Sequence, residues 1–167
     1  FEYGDYEGEI SEEMLPNPIT QYGRAKNSLR IKIESLKSKY DFNLTWLRLF
    51  YFFGGDHYSN NLWSNINIAV KSQQDSFNIS KGTQLRDYLH IEEIARYIKI
   101  ISSINKDLGI VNICSNIPIS IKEITNKWVK DNNWKIKIES NKIEVKDYEI
   151  KDFWGSKKKL DTIINKN

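Results

Sequence analysis

The sequence predicts an α/β fold with helices layered on a largely parallel sheet. Three observations predict it: short runs dense in aliphatic and aromatic residues, stretches with apolar residues at helical spacing, and the regular alternation of the two along the chain. Residues 1–21 carry glycines, prolines and acids (Tyr3-Gly4-Asp5, Pro16-Asn17-Pro18) and read as a loop. Thr20 then N-caps a helix that runs to about Tyr40, with Ala25, Leu29, Ile33 and Leu36 forming its apolar face. Residues 44–53 are apolar with little alternation, the pattern of one strand buried on both faces of a parallel sheet. Gly54-Gly55 stops that strand.

After a polar loop containing His57 and Asn60, the spacing predicts a helix over 62–71 and a short strand over 75–79. Residues 82–87 read as a turn into a helix over 91–104, whose apolar stripe is Ile94, Ala95, Ile98 and Ile101. A buried strand follows at 110–113. Ser120 and Glu123 then form a capping box for a helix over 121–130. Residues 134–138 alternate as a half-buried strand, and a last helix spans about 153–164. No internal repeat is visible.

Composition narrows the function classes. The chain has 167 residues, 40% hydrophobic and 28% charged, a globular balance that fits one domain or part of a larger one. Lys and Arg number 25 against 22 acids, a near balance that argues against nucleic acid as a partner. The tight basic run Lys157-Lys158-Lys159 reads as a solvated helix end. A lone Cys114 in an apolar run reads as core and makes no internal disulfide. No apolar run approaches the roughly 20 residues that span a bilayer, and no signal peptide is seen, so the expected location is cytoplasmic. The opening at Phe1, without an initiator Met, reads as a piece of a longer protein.

Three clusters carry possible chemistry. Tyr22 and Lys26 are four apart, one turn along one helix face. An ammonium placed beside a phenol favours the phenolate and suits the pair to general acid/base work. The same spacing also describes an exposed Tyr beside a surface Lys. Arg86-Asp87 offers a forked guanidinium for phosphate, or a plain surface pair at a helix start. Asn60-Asn61-Leu62 offers amides at a helix N-terminus, which bind anions or simply cap the helix. His57 and His90 read as capping or packing residues. Neither has a metal-ligand partner at useful spacing, so no metal is expected.

Taken in order, the motifs resemble the second half of the extended short-chain dehydrogenases, the NAD-dependent epimerase/dehydratase group. The ordered set is Tyr3-Gly4, Glu12, Pro18 through Lys26, Arg48 through Gly54, Asn60-Asn61-Leu62, Gly82 through His90, Val111-Asn112-Ile113, Pro118 through Ile121, and Phe153-Trp154-Gly155. The resemblance implies the C-terminal part of a Rossmann-like doubly wound sheet plus a smaller α/β substrate-binding lobe. Residues 1–56 would be the rear of the cofactor domain. Residues 57–167 would be mostly the lobe, with segments around 85–115 returning to the cofactor domain.

The resemblance also implies roles. Tyr22 would be the catalytic acid/base, and Lys26 would hold the cofactor ribose and tune Tyr22. Leu49, Phe50 and Tyr51 would flank the nicotinamide and the sugar. Asn61, Leu62 and Arg86 would grip the nucleotide diphosphate, with Phe77 and Ile79 lining base and ribose. NAD or NADP would be the cofactor, a nucleotide sugar the substrate, and a homodimer the assembly.

Two departures from the family pattern stand out. Tyr51 occupies a position where the family often has Asn. The catalytic Ser or Thr and the Gly-rich phosphate loop would both precede Phe1, so these residues alone would hold NAD weakly and leave a sheet edge unpaired. In 4,6-dehydratases of this group a Glu stands where Phe1 stands, and a phenyl ring cannot carry a proton. What remains is reduction of a nucleotide-4-keto-6-deoxysugar, which the Phe1-Glu2-Tyr3-Gly4 opening and the Arg48-Leu49-Phe50-Tyr51 strand favour. A 4-epimerase with bound NAD is the second reading. A reading of another class is a catalytically incomplete piece serving as a binding or interaction module.

Overall fold

The computed structural model describes residues 1–55, 61–144 and 151–166. His57 and Asn60 lie outside the described residues. The predicted alternation of strands and helices is present, with nine strands and five helices among the described residues.

The segment read as a loop contains a strand, β1 (Gly8–Ile10), which pairs in parallel with β9 (Phe153–Gly155). Helix α1 (Gln21–Leu36) is capped by Thr20, whose hydroxyl accepts from the Gly23 amide at 3.0 Å. It ends a turn before Tyr40. Its expected core face is not buried. Gly23 and Arg30 are the residues α1 buries, while Ala25, Leu29 and Leu36 are exposed.

The run at 44–53 is two strands rather than one. β2 (Thr45–Leu49) pairs in parallel with β6 (Gly109–Ile113), whereas β3 (Tyr51–Phe53) pairs in parallel with β5 (Leu85–His90). The change of partner falls at Phe50, whose amide donates to the last carbonyl of β6, that of Ile113, at 3.1 Å. Nor is the run buried on both faces: Leu49, Tyr51 and Phe52 are exposed, and the buried position is Arg48. That guanidinium lies over the Tyr3 ring at 4.2 Å and donates from Nε to Glu2 at 2.9 Å. Apolar run length cannot tell a strand that crosses between two sheets from one enclosed in a single sheet.

β5 is the larger correction. Residues read as a turn form a strand that pairs with β3 at its C-terminal half and, antiparallel, with β7 (Pro118–Ser120) at its N-terminal half. Helix α3 (Ile91–Ser102) follows without a break, capped by His90, whose Nδ1 accepts from the Glu92 amide at 3.3 Å. The His90 ring lies where a Cβ on Gly54 would sit, 2.6 Å away, and Gly54 has φ +101°, so this corner requires glycine. β4 (Ser76–Asn78) pairs in parallel with β8 (Lys137–Glu139) beside α2 (Leu62–Lys71). α4 (Ile121–Asp131) carries the predicted Ser120/Glu123 capping box. The expected last helix divides into β9 and α5 (Lys158–Ile164).

Two apolar cores result. Leu89, Ile94, Tyr97, Ile101, Val111, Ile113, Leu160 and Ile163 form one, joined by Leu47. Ile66, Ile124 and Trp128 centre the other, with Phe53, Trp63, Phe77, Tyr88 and Trp134 packed around them. β5 sends Leu89 to the first core and Tyr88 to the second. α5 packs with the first core, where Lys159 donates to the carbonyls of Leu108 and Ile110 at 2.7 and 2.6 Å. One lysine of the basic run thus satisfies backbone rather than water. Cys114 is fully buried beside β9, as its apolar context predicts. Burial pushes its thiol pKa up, with Asp87 and Glu12 adding to the shift. Among the described residues no helix is long and apolar enough to cross a membrane.

Candidate active site

β5 builds the site. Its side chains alternate, so Arg86 and Tyr88 share one face, continued by Gln84 just before the strand, and Asp87 takes the other. The first three line a cleft of about 350 Å³, together with Tyr51, Phe52, Asn61, Leu62, Trp63, Ile79, Ser80 and Ile121.

Arg86 is 4% exposed and held on three sides. Its Nη1 donates to the carbonyls of Leu85 and Lys151 at 2.7 and 2.6 Å, and the guanidinium lies over the Phe153 ring at 4.6 Å. A cation fixed in this way cannot swing to meet a ligand. It presents positive charge at one place. Tyr88 closes one end, with its ring 5.5 Å from that of Tyr51. Burial pushes the Tyr88 phenol pKa up and Tyr51 beside it adds to this, while Arg86 partly offsets them.

Asp87 is not a surface partner of Arg86. It is fully buried and accepts from the Ser115 amide and hydroxyl at 2.7 Å each, the Asn116 amide at 2.9 Å and the Gly155 amide at 3.1 Å. It therefore ties β5 to the β6–β7 loop and to β9. Asn61 does cap α2, accepting from the Ser64 amide at 2.9 Å, while also lining the cleft.

Tyr22 and Lys26 occupy the first two turns of α1. The Tyr22 ring is 58% exposed, meets Phe1 edge-on at 5.4 Å, and has the Lys26 ammonium 5.7 Å from its centroid. Its hydroxyl makes no hydrogen bond among the described residues. Gly23 lets α1 lie against the Phe1 carbonyl, which a Cβ would meet at 2.5 Å. So an exposed phenol stands beside an ammonium, open to a ligand.

The structure thus brings Tyr51, Asn61, Leu62, Ile79 and Arg86 around one cleft. Leu49 is exposed on β2, and Phe50 packs against Phe153 at 6.4 Å. Phe77 lies in the second core rather than on the cleft wall. Gln84, Tyr88 and Trp63 were missed by sequence reasoning. The alternation Gln84, Arg86, Tyr88 would have found two of them had the segment been read as a strand.

A rigid buried cation in a cleft and a separate phenol–ammonium pair on a helix are thus set in one α/β framework. The chain belongs to the NAD dependent epimerase/dehydratase family, whose model matches residues 2–114. The dTDP-6-deoxy-L-talose 4-dehydrogenase (NAD(+)) of Aggregatibacter actinomycetemcomitans is 32% identical over 157 residues, covering 93% of this chain and 58% of that protein. The chain spans little more than half the length of this curated relative.

Solved structures share the fold. UDP-N-acetylglucosamine 4-epimerase from Methanobrevibacter ruminantium M1, in complex with UDP-N-acetylmuramic acid, superposes with a TM-score of 0.84 at 20% identity. The match covers 97% of this chain and 53% of that one. UDP-glucuronic acid 4-epimerase from Bacillus cereus, in complex with NAD, gives 0.81 at 21% identity, covering 99% and 52%. The fold is thus Rossmann-like and is shared with about half of each of these chains.

Proposed function

We propose that this chain is part of an NAD(P)-dependent oxidoreductase that interconverts a 4-keto and a 4-hydroxyl group on a nucleotide-activated sugar, working as a reductase. The observation that carries the reading is the exposed Tyr22 beside Lys26. The 32% identity to a 4-dehydrogenase supports the 4-position, since a dehydrogenase and a keto-reductase run one hydride transfer in opposite directions.

The residues fit a dinucleotide cofactor, because the exposed Tyr22 ring has the Lys26 ammonium 5.7 Å from its centroid and, among the described residues, the Tyr22 hydroxyl makes no hydrogen bond that a ligand would have to displace. The bound nicotinamide supplies the hydride. Tyr22 then donates its phenolic proton to the oxygen that becomes the alcohol, and Lys26 holds the cofactor ribose and supports the charge left on the phenolate. Leu49, Phe50 and Tyr51 border the nicotinamide and the sugar. Arg86 takes the diphosphate, with Asn61 and Leu62 at the N-terminus of α2, and Ile79 and Phe77 support the nucleoside.

In this reading residues 1–56 and segments around 85–115 belong to the cofactor domain, and most of 57–167 to the substrate lobe. The enzyme is cytoplasmic. It pairs as a homodimer through α1, whose exposed Leu29, Ile31 and Leu36 support that contact.

The test uses the full-length gene product with NADH or NADPH and a nucleotide-4-keto-6-deoxysugar. Consumption of reduced cofactor that disappears in Tyr22→Phe supports the reductase. Interconversion of a 4-hydroxyl sugar with its epimer, without net consumption, replaces it with the epimerase. A folded protein that does neither leaves a binding or interaction module.

A further inference from the structure

We propose that Gln84 is a specificity-determining residue that reads the nucleoside by accepting a hydrogen bond from it, an inference resting on the nucleotide-sugar reading of the cleft. Gln84 is 7% exposed, lines the cleft, and its Oε1 is buried without a hydrogen-bond partner among the described residues. A buried carbonyl oxygen left unpaired costs about 1–3 kcal/mol, so a group of this kind is usually satisfied by something.

Among the described residues the Gln84 Oε1 holds no part of the fold by a hydrogen bond. The main chain of Gln84 already serves the structure, its carbonyl accepting from the Ile121 amide at 3.2 Å. Carboxamide rotation about the last side-chain torsion is soft, so Oε1 can turn into the cleft without moving the strand.

Position on the strand selects which part of the ligand it meets. Gln84 precedes Arg86 by one same-face step, roughly 7 Å along a strand, and Tyr88 follows by another. With the diphosphate on Arg86 and the sugar toward the Tyr88–Tyr51 end, Gln84 lies on the nucleoside side, beside Ile79 and Ser80. The donors a uridine offers there are the ribose 2′- and 3′-hydroxyls and the imide N3–H. Any of them supplies what Oε1 lacks.

The experiment is calorimetric titration of the full-length protein and its Gln84→Met variant with UDP, 2′-deoxy-UDP, 3′-deoxy-UDP, N3-methyl-UDP and inorganic pyrophosphate. The expected result is roughly tenfold weaker UDP binding by Gln84→Met, with pyrophosphate affinity unchanged. One analogue should bind both proteins equally weakly: the 2′-deoxy or 3′-deoxy compound if that hydroxyl is the donor, N3-methyl-UDP if the imide is. Equal UDP binding by the two proteins overturns the inference, as does a parallel loss of pyrophosphate, which marks general damage to the cleft. An effect of Gln84→Met that persists undiminished with all three analogues also overturns it. If the wild type binds pyrophosphate but gains nothing from any nucleoside, the nucleotide-sugar reading itself fails.

Discussion

Helix α1 and strand β5 carry the two halves of the proposed chemistry and are held in opposite ways. On β5, Arg86 and Asp87 are almost wholly buried, and each has several partners of fixed geometry. On α1, Tyr22 is mostly exposed, and its ring contacts among the described residues are with the Phe1 ring and the Lys26 ammonium. The binding wall is therefore preorganised by the same contacts that stabilise the fold, while the proton-handling pair contributes little to folding. Changes on α1 should register in chemistry alone. Changes on β5 should register in stability, affinity or both.

The largest separation is expected at Tyr22. Tyr22→Phe should lower the rate of hydride transfer by about 10²–10⁴, the usual worth of a positioned acid/base. Its thermal midpoint should stay near that of the parent, since an exposed hydroxyl without a partner has no fold contact to lose. Steady-state kinetics beside thermal melts check both parts. A fall of several degrees in the midpoint would erase the contrast between the two regions.

Asp87→Ala is the opposite case. It leaves the amides of Ser115, Asn116 and Gly155 without their acceptor. The Gly155 amide is left buried and those of Ser115 and Asn116 part-buried; a buried orphan costs about 1–3 kcal/mol, so a destabilisation of about 3 kcal/mol is expected in denaturant unfolding. Arg86→Lys should do less. A lysine keeps the charge but lacks the planar fork, so the substrate KM should rise roughly tenfold with kcat nearly unchanged.

These expectations also separate what the sequence could disclose from what it could not. Helical periodicity and caps located α2, α3 and α4 and the Ser120/Glu123 box, because those signals are local. The strands that went wrong are set by partners far along the chain. Residue 50 divides a continuous apolar run only because β6 ends at Ile113 and β5 takes over the pairing. Residues 85–90 contain Arg, Asp and His, a poor strand composition, yet lie between β3 and β7 with the Arg86 and Asp87 side chains satisfied at long range. The α1 stripe was legible as apolar, but its exposure was not, since periodicity marks a face without saying what covers it. Tyr22, Lys26 and Arg86 were legible as an ordered set. The cap made by Asn61 was legible as one of two readings of Asn60-Asn61-Leu62, whereas the core packing of Phe77 was not.

The smallest effect tests whether the cleft tolerates a local loss beside it. Ser120 accepts from the Glu123 amide at 3.1 Å, and the Glu123 carboxylate accepts from the Ser120 amide at 3.1 Å and its hydroxyl at 2.7 Å. These hydrogen bonds hold the Glu123 carboxyl below the usual carboxylate range. Ser120→Ala removes the cap and should cost about 1 kcal/mol. Ser120 joins β7 to α4, and the next residue, Ile121, lines the cleft. The strand pairing of β7 with β5 does not depend on the hydroxyl, so ligand affinity should hold while the unfolding midpoint falls slightly. If affinity falls with it, the binding wall is less independent of its neighbouring helix than the buried contacts of Arg86 imply, and the division between a rigid β5 and a free α1 extends to α4 as well.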